Sequence, residues 1–152
     1  MPEPFKNQFS EELIATMGDQ FLLHWPDFDR RGFVAEAANN LASLELKERS
    51  DQIVRALGSF LPDDFEHAAD IMRMSVAPES GGISGWAVMP MTHYVGVSGL
   101  EHFDLSMNLL RDMTRRFSSE FGIRFLILHD SERALSTMEQ WTTDPCLSLI
   151  HI

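Results

Sequence analysis

Apolar residues return every three to four positions along almost the whole chain, and that period confines it to helices packed on helices. Ser10 stands where it can cap a first helix, with Glu11 and Glu12 favourable at the positive end of its dipole. Leu13, Ile14, Met17 and Phe21 form the apolar stripe, and Pro26 stops the helix. Asp27 or Asp29 starts a second, which buries Phe33, Val34, Ala37, Ala38 and Leu41. A third is expected from about residue 45 to 61, through Ile53, Val54, Leu57 and Phe60. Pro62-Asp63-Asp64 opens a fourth, with Phe65, Ala68, Ala69, Met72 and Val76 inward.

Residues 78–85, rich in Gly, Ser and Pro, read as a loop. A fifth helix follows from about residue 86 to 97, disturbed by Pro90 and ended by Gly99. A sixth is expected from about 102 to 117, with Leu105, Leu109, Met113 and Phe117 roughly one turn apart. A short seventh covers about 119 to 128. Its stretch Phe125-Leu126-Ile127-Leu128 also fits a strand, but its helical neighbours favour helix. The eighth runs from about 131 to 142, with Ser131 as cap. Short connections make these four antiparallel pairs. No residue-level repeat of fixed period is present, yet stacked pairs of degenerate sequence suit an all-α, HEAT-like α-solenoid. A closed helical bundle is the alternative.

With 152 residues, 44% of them apolar, the chain is long enough for one domain with a real core. No apolar run reaches 18 residues, so nothing in the sequence reads as a membrane span. The N-terminus lacks the charged-then-apolar order of a signal peptide, and the single cysteine, Cys146, excludes an internal disulfide framework. Together these favour the cytoplasm. Six scattered histidines without an H-x-x-x-H, and no cysteine pair, indicate no metal site. No Gly-x-Gly-x-x-Gly, P-loop or nucleophile elbow points to a cofactor or an acyl transfer. The nine methionines fall at helical spacing and read as core.

The formal net charge of −11 excludes non-specific nucleic-acid binding by the surface as a whole. Neither the first hundred residues, with 7 Lys/Arg against 15 Asp/Glu, nor the rest, with 5 against 8, are basic. Only Arg111, Arg115, Arg116 and Arg124 gather. Segment 114–124 sets Glu120 among Arg115, Arg116 and Arg124, with Phe117 and Phe121 beside them. Arginines hold phosphate bidentately, and a carboxylate faces a cationic reaction centre. The same residues also suit a solvated helix face on which the arginines pair with Asp112 and Glu120. Glu120 then only offsets a helix dipole behind a cap at Ser118 or Ser119. Arg116 and Glu120 are four apart and so are expected to share a helix face, and Arg124 lies four beyond Glu120. Trp86 either stacks on a nucleotide or closes a helix pair from inside. Trp25 and Trp141 read as core.

Trp25-Pro26, Leu44-Glu45-Leu46-Lys47-Glu48-Arg49, Gly85-Trp86-Ala87-Val88-Met89-Pro90 and segment 114–124 follow one another at a family spacing. The chain thereby resembles the AlkC branch of the AlkC/AlkD-type DNA alkylation repair glycosylases, from about Phe5 to Pro145. The resemblance implies a HEAT-like fold and hydrolysis of the N-glycosidic bond of an alkylated base such as 3-methyladenine or 3-methylcytosine in double-stranded DNA. It implies a monomer without metal or cofactor, with Glu120 catalytic and Arg115, Arg116, Arg124 and Trp86 on DNA. It also implies that the helical-repeat domain occupies residues 1–146. Residues 147–152 depart from the family pattern and read as the in-frame translation of a transposon adapter, a genuine apolar tail being the alternative. On that reading the family's further acidic and aromatic site residues are absent, so the chain is expected to be inactive by itself. An apolar face around Leu135, Met138 and Trp141 is expected to lie uncovered. Gly122 stands where the family is expected to carry a small alanine. A non-catalytic helical-repeat scaffold for protein or DNA is the competing reading.

Overall fold

The computed structural model describes residues 5–77, 82–114, 116 and 120–142. Among them lie eight α-helices and no strand. A 3-10 turn at Phe5–Gln8 leads into α1, Glu11–His24. The Ser10 hydroxyl accepts from the amide of Leu13 at 3.1 Å, and Ile14, Met17, Gly18 and Phe21 face the core. The Trp25 amide closes the last turn onto the Phe21 carbonyl, and Pro26 follows. Asp29, not Asp27, caps α2, Arg30–Ala37, through a 3.0 Å bond from the Gly32 amide. Asn40, at φ 53°, turns the chain toward α3, Leu46–Phe60. There the Glu48 carboxylate reaches back to the Glu45 amide at 3.1 Å. Next comes α4, Phe65–Val76.

Helix α5, Val88–Ser98, continues from a 3-10 turn at Gly85–Ala87. Pro90 does not disturb it. It sits in the first turn, where its missing N–H had no partner to lose. Helix α6, Phe103–Thr114, ends three residues before the spacing suggests, because the Arg116 amide bonds back to Met113 and tightens the chain into a turn. Helix α7 is Glu120–His129, so the 125–128 stretch is helical. Helix α8, Ser131–Trp141, is capped by Asp130, whose carboxylate accepts from the Arg133 amide at 3.2 Å; Ser131 is already its first helical residue.

The helices stack in two rows. In one, α3 packs on α5 and α5 on α7; in the other, α1 packs on α4 and α4 on α6. Helix α2 joins the rows at one end through α1 and α3. At the other end α8 packs on α7 and ties to α6, where Arg133 bonds Asp104 at 2.9 Å and covers the Phe103 ring. Packing of alternate helices, α3 on α5 on α7 and α4 on α6, is the pattern of an α-solenoid, and the closed bundle is not adopted. The core runs between the rows through Phe9, Phe21, Phe33, Ile53, Leu57, Met72, Met91 and Leu109. Burial of each large apolar side chain contributes about 1.5–3 kcal/mol before entropy is counted. Trp141 is buried and Trp25 packs against the core. Of the three residues expected to lie uncovered on α8, only Leu135 does so, at 56% exposure; Met138 packs on the core. Arg115, Ser118, Ser119, the Glu120 side chain and residues 147–152 lie outside the described residues.

Candidate functional site

The row α3–α5–α7 is parallel and in register. Asp51, His93 and Phe125 are each the sixth residue of their helix, and the His93 ring stacks on Phe125 at 5.1 Å and 19°. Asp51 and His93 line one cavity. The three N-termini, at Leu46, Val88 and Glu120, therefore share one edge, and each presents the positive end of a helix dipole there.

Two glycines bring α7 this close to α5. A Cβ on Gly122 would lie 2.2 Å from the Thr92 carbonyl oxygen, and one on Gly96 would lie 2.6 Å from the Gly122 oxygen. The expected alanine at position 122 has no room. Backbone touches backbone at this crossing, and it fixes where α7 begins.

Arg116 links the start of that region to Trp86. Its Nη2 donates to the Gly82 carbonyl at 2.8 Å and its Nε to the Ile83 carbonyl at 3.2 Å. Its own carbonyl accepts from the Gly85 amide at 3.3 Å. Gly85 has φ +69°, a left-handed turn that aims Trp86 at the row's edge. Helix α6 ends at Thr114 and α7 begins at Glu120, so Arg116 and Glu120 do not share one helix, and whether their side chains pair lies outside the described residues. Asp112 pairs with Arg73 of α4 at 3.4 Å. Arg124 is exposed on the second turn of α7, four residues after Glu120.

Trp86 is half-buried and meets Phe9 edge-on at 6.0 Å. It walls a cavity of about 370 Å³ between the first turns of α3 and α5, with Phe9, Leu46 and Met89 as the apolar lining and Lys47, Ser50, Asp51 and His93 the polar members. Burial lowers the pKa of His93, Lys47 lowers it further and Asp51 opposes them, so the ring is neutral near pH 7. Sequence reading missed His93. Its only signal, a histidine one turn beyond Met89 on an apolar helix, is also that of an ordinary core residue. Among the described residues no group of three His, Cys, Asp or Glu is placed to hold a metal, and no helix is long and apolar enough to cross a membrane.

No family model matches the chain. It is 30% identical over 138 residues to the uncharacterized protein YhaZ of Bacillus subtilis (strain 168), a match covering 90% of this chain and 38% of that one. Its fold superposes on that of Pseudomonas fluorescens alkylpurine DNA glycosylase AlkC, bound to DNA containing an abasic site analog, with a TM-score of 0.87 at 27% identity over 99% of this chain. The chain is related in fold to AlkC. It has the HEAT-like helical-repeat fold of AlkC and spans about two fifths of the length of the two proteins it matches. Both Trp86 and the start of α7 thus stand on a glycosylase-like framework.

Proposed function

We propose that this AlkC-type chain works in DNA alkylation repair, as part of a cytoplasmic, monomeric glycosylase that removes bases such as 3-methyladenine or 3-methylcytosine from double-stranded DNA. The observation that carries the reading is the likeness to AlkC along 99% of the chain. Supporting it is the shared edge of α3, α5 and α7, where three helix N-termini favour an anionic backbone.

The chemistry asks for little acid. A methylated base carries positive charge, so the C1′–N bond breaks with its electron pair going to the base, which leaves neutral. The sugar becomes oxocarbenium-like and takes water at C1′. Glu120 is the group we assign to face that cation and accept the water's proton. Arg115, Arg116 and Arg124 are assigned to phosphates, and Trp86 to a nucleotide face. Since two donors of Arg116 already hold loop carbonyls, its larger part is to fix that loop.

Release of 3-methyladenine from alkylated DNA tests the reading. The 152-residue chain is compared with a chimera that continues it with the remaining part of YhaZ. Release by the chimera alone is the expected result. Folded proteins that bind DNA and release no base would favour the non-catalytic scaffold.

A further inference from the structure

Residues four apart lie on one face of a helix, and the row α3–α5–α7 carries three such stripes side by side. On α3 the stripe is Lys47, Asp51 and Arg55, and on α5 it is Met89, His93 and Val97. On α7 it holds Arg124 and Leu128, four and eight residues after Glu120. The stripes share a face of the row. Lys47, Asp51, Met89 and His93 line one cavity, and His93 stacks on Phe125, the neighbour of Arg124. Arg55 and Val97 are the tenth residues of their helices and Leu128 is the ninth of α7, so the three stand level across the row. The proposed chemistry uses none of them. All three are exposed, Val97 at 48% and Leu128 at 85%. Arg55 forms no ion pair among the described residues.

Charge separates the two rows. Helices α1, α4 and α6 carry seven Asp/Glu against two Lys/Arg, whereas α3, α5 and α7 carry three against four. In a chain of net charge −11, a polyanion is repelled by the first row and accepted by the second. We propose that Arg55, Val97 and Leu128 form a second line of contact with duplex DNA, on the strand opposite the one held at the helix N-termini. Eight residues of helix separate this line from the first turns, about 12 Å, which is roughly the width of the major groove. Arg55 takes a backbone phosphate, to which its unpaired guanidinium offers two donors. Val97 and Leu128 lie against the C–H faces of neighbouring deoxyriboses. The line touches backbone alone, so it holds damaged and undamaged duplex alike. The inference rests on the reading of this chain as a DNA-repair protein.

The test is fluorescence anisotropy of the 152-residue chain with a short labelled duplex, undamaged or with an abasic-site analog, and with one strand alone, over a series of salt concentrations. Arg55→Gln is expected to weaken both duplexes about tenfold, the size of one charged hydrogen bond, and to leave the single strand unaffected. The slope of log affinity against log salt becomes shallower by about 0.9, as one lost phosphate contact requires. Leu128→Ser weakens the duplexes about two- to fivefold with the slope unchanged. Arg31→Gln makes the same charge change on α2, outside this row, and binds as the parent does. Circular dichroism confirms that the variants fold. Equal losses in Arg31→Gln and Arg55→Gln overturn the proposal, since net charge alone would then explain both. An equal loss for the single strand overturns the opposite-strand placement. Self-association that Leu128→Ser abolishes, with DNA affinity unchanged, overturns it in favour of an interface between copies. Arg55→Gln binding as the parent while Arg124→Gln is weakened overturns the line and leaves the repair reading standing. Arg55-dependent affinity without base release from alkylated DNA by the YhaZ-extended chimera supports the line and counts against repair.

Discussion

Gly122→Ala is the substitution on which the packing account turns. In an isolated helix it would help, because alanine is favoured over glycine by about 1 kcal/mol. Here the new Cβ would sit 2.2 Å from the Thr92 oxygen and 2.8 Å from the Thr92 carbonyl carbon, both backbone atoms that no rotamer change can move. An ordinary carbon–oxygen contact is about 3.3 Å or more, so α7 must retreat from α5 by roughly 1 Å. Overpacking of this kind costs about 1–3 kcal/mol, and a clash with rigid backbone belongs at the upper end. Net of the propensity gain, the loss is about 2 kcal/mol, or roughly 4–8 °C in Tm for a chain of this size. Gly58→Ala, on α3, is the control, because a Cβ there meets nothing within 4 Å. It is expected to raise stability by about 0.5–1 kcal/mol. Thermal and urea unfolding of the two variants decide the matter. A Gly122→Ala chain as stable as Gly58→Ala would refute the close crossing and, with it, the placement of α7.

Further outcomes follow from the same geometry. Gly85→Ala should lose about 1–2 kcal/mol in urea unfolding although a Cβ there has open space, since φ is +69°. Arg49 is buried and donates to the carbonyls of Lys6, Phe9 and Leu44. Arg49→Leu strands those acceptors, and unfolding experiments should show a loss of about 2–4 kcal/mol. The lowered pKa of His93 means that the unfolded chain binds its proton first as pH falls. The stability present above the ordinary histidine value is therefore lost as pH drops from 6.5 toward the lowered pKa. His93→Gln should lose less stability than the parent as pH falls below the ordinary histidine value, with Asp51 and Lys47 near the ring in the parent.

The fold was legible where local chemistry decides it. Ser10 and Asp29 cap the helices that follow because their side-chain oxygens take orphan amides, and that is a property of sequence neighbours. At α8 two adjacent residues could both serve, and only backbone geometry chose Asp130 over Ser131. The end of α6 escaped notice because the period continues to Phe117. What stops it is a turn held by Arg116, which bonds carbonyls more than thirty residues earlier in the chain. For the same reason the hold of Arg116 on the Gly82 and Ile83 carbonyls could not be read from its own segment. Gly122 read as a near-alanine because its neighbour across the interface, Thr92, is invisible from the segment itself. Partners distant in sequence account for each of these differences.

We propose that the edge where α7 begins carries glycosidic-bond hydrolysis through Glu120. The measurement that tests it most directly is base release from alkylated DNA by the YhaZ-extended chimera and by its Glu120→Gln variant. Binding of both to a duplex with an abasic-site analog is followed in parallel. The account predicts retained binding and a fall in release of about 10²–10³-fold, the size expected when a preorganised charge is removed from a transition state. Undiminished release by Glu120→Gln would contradict it.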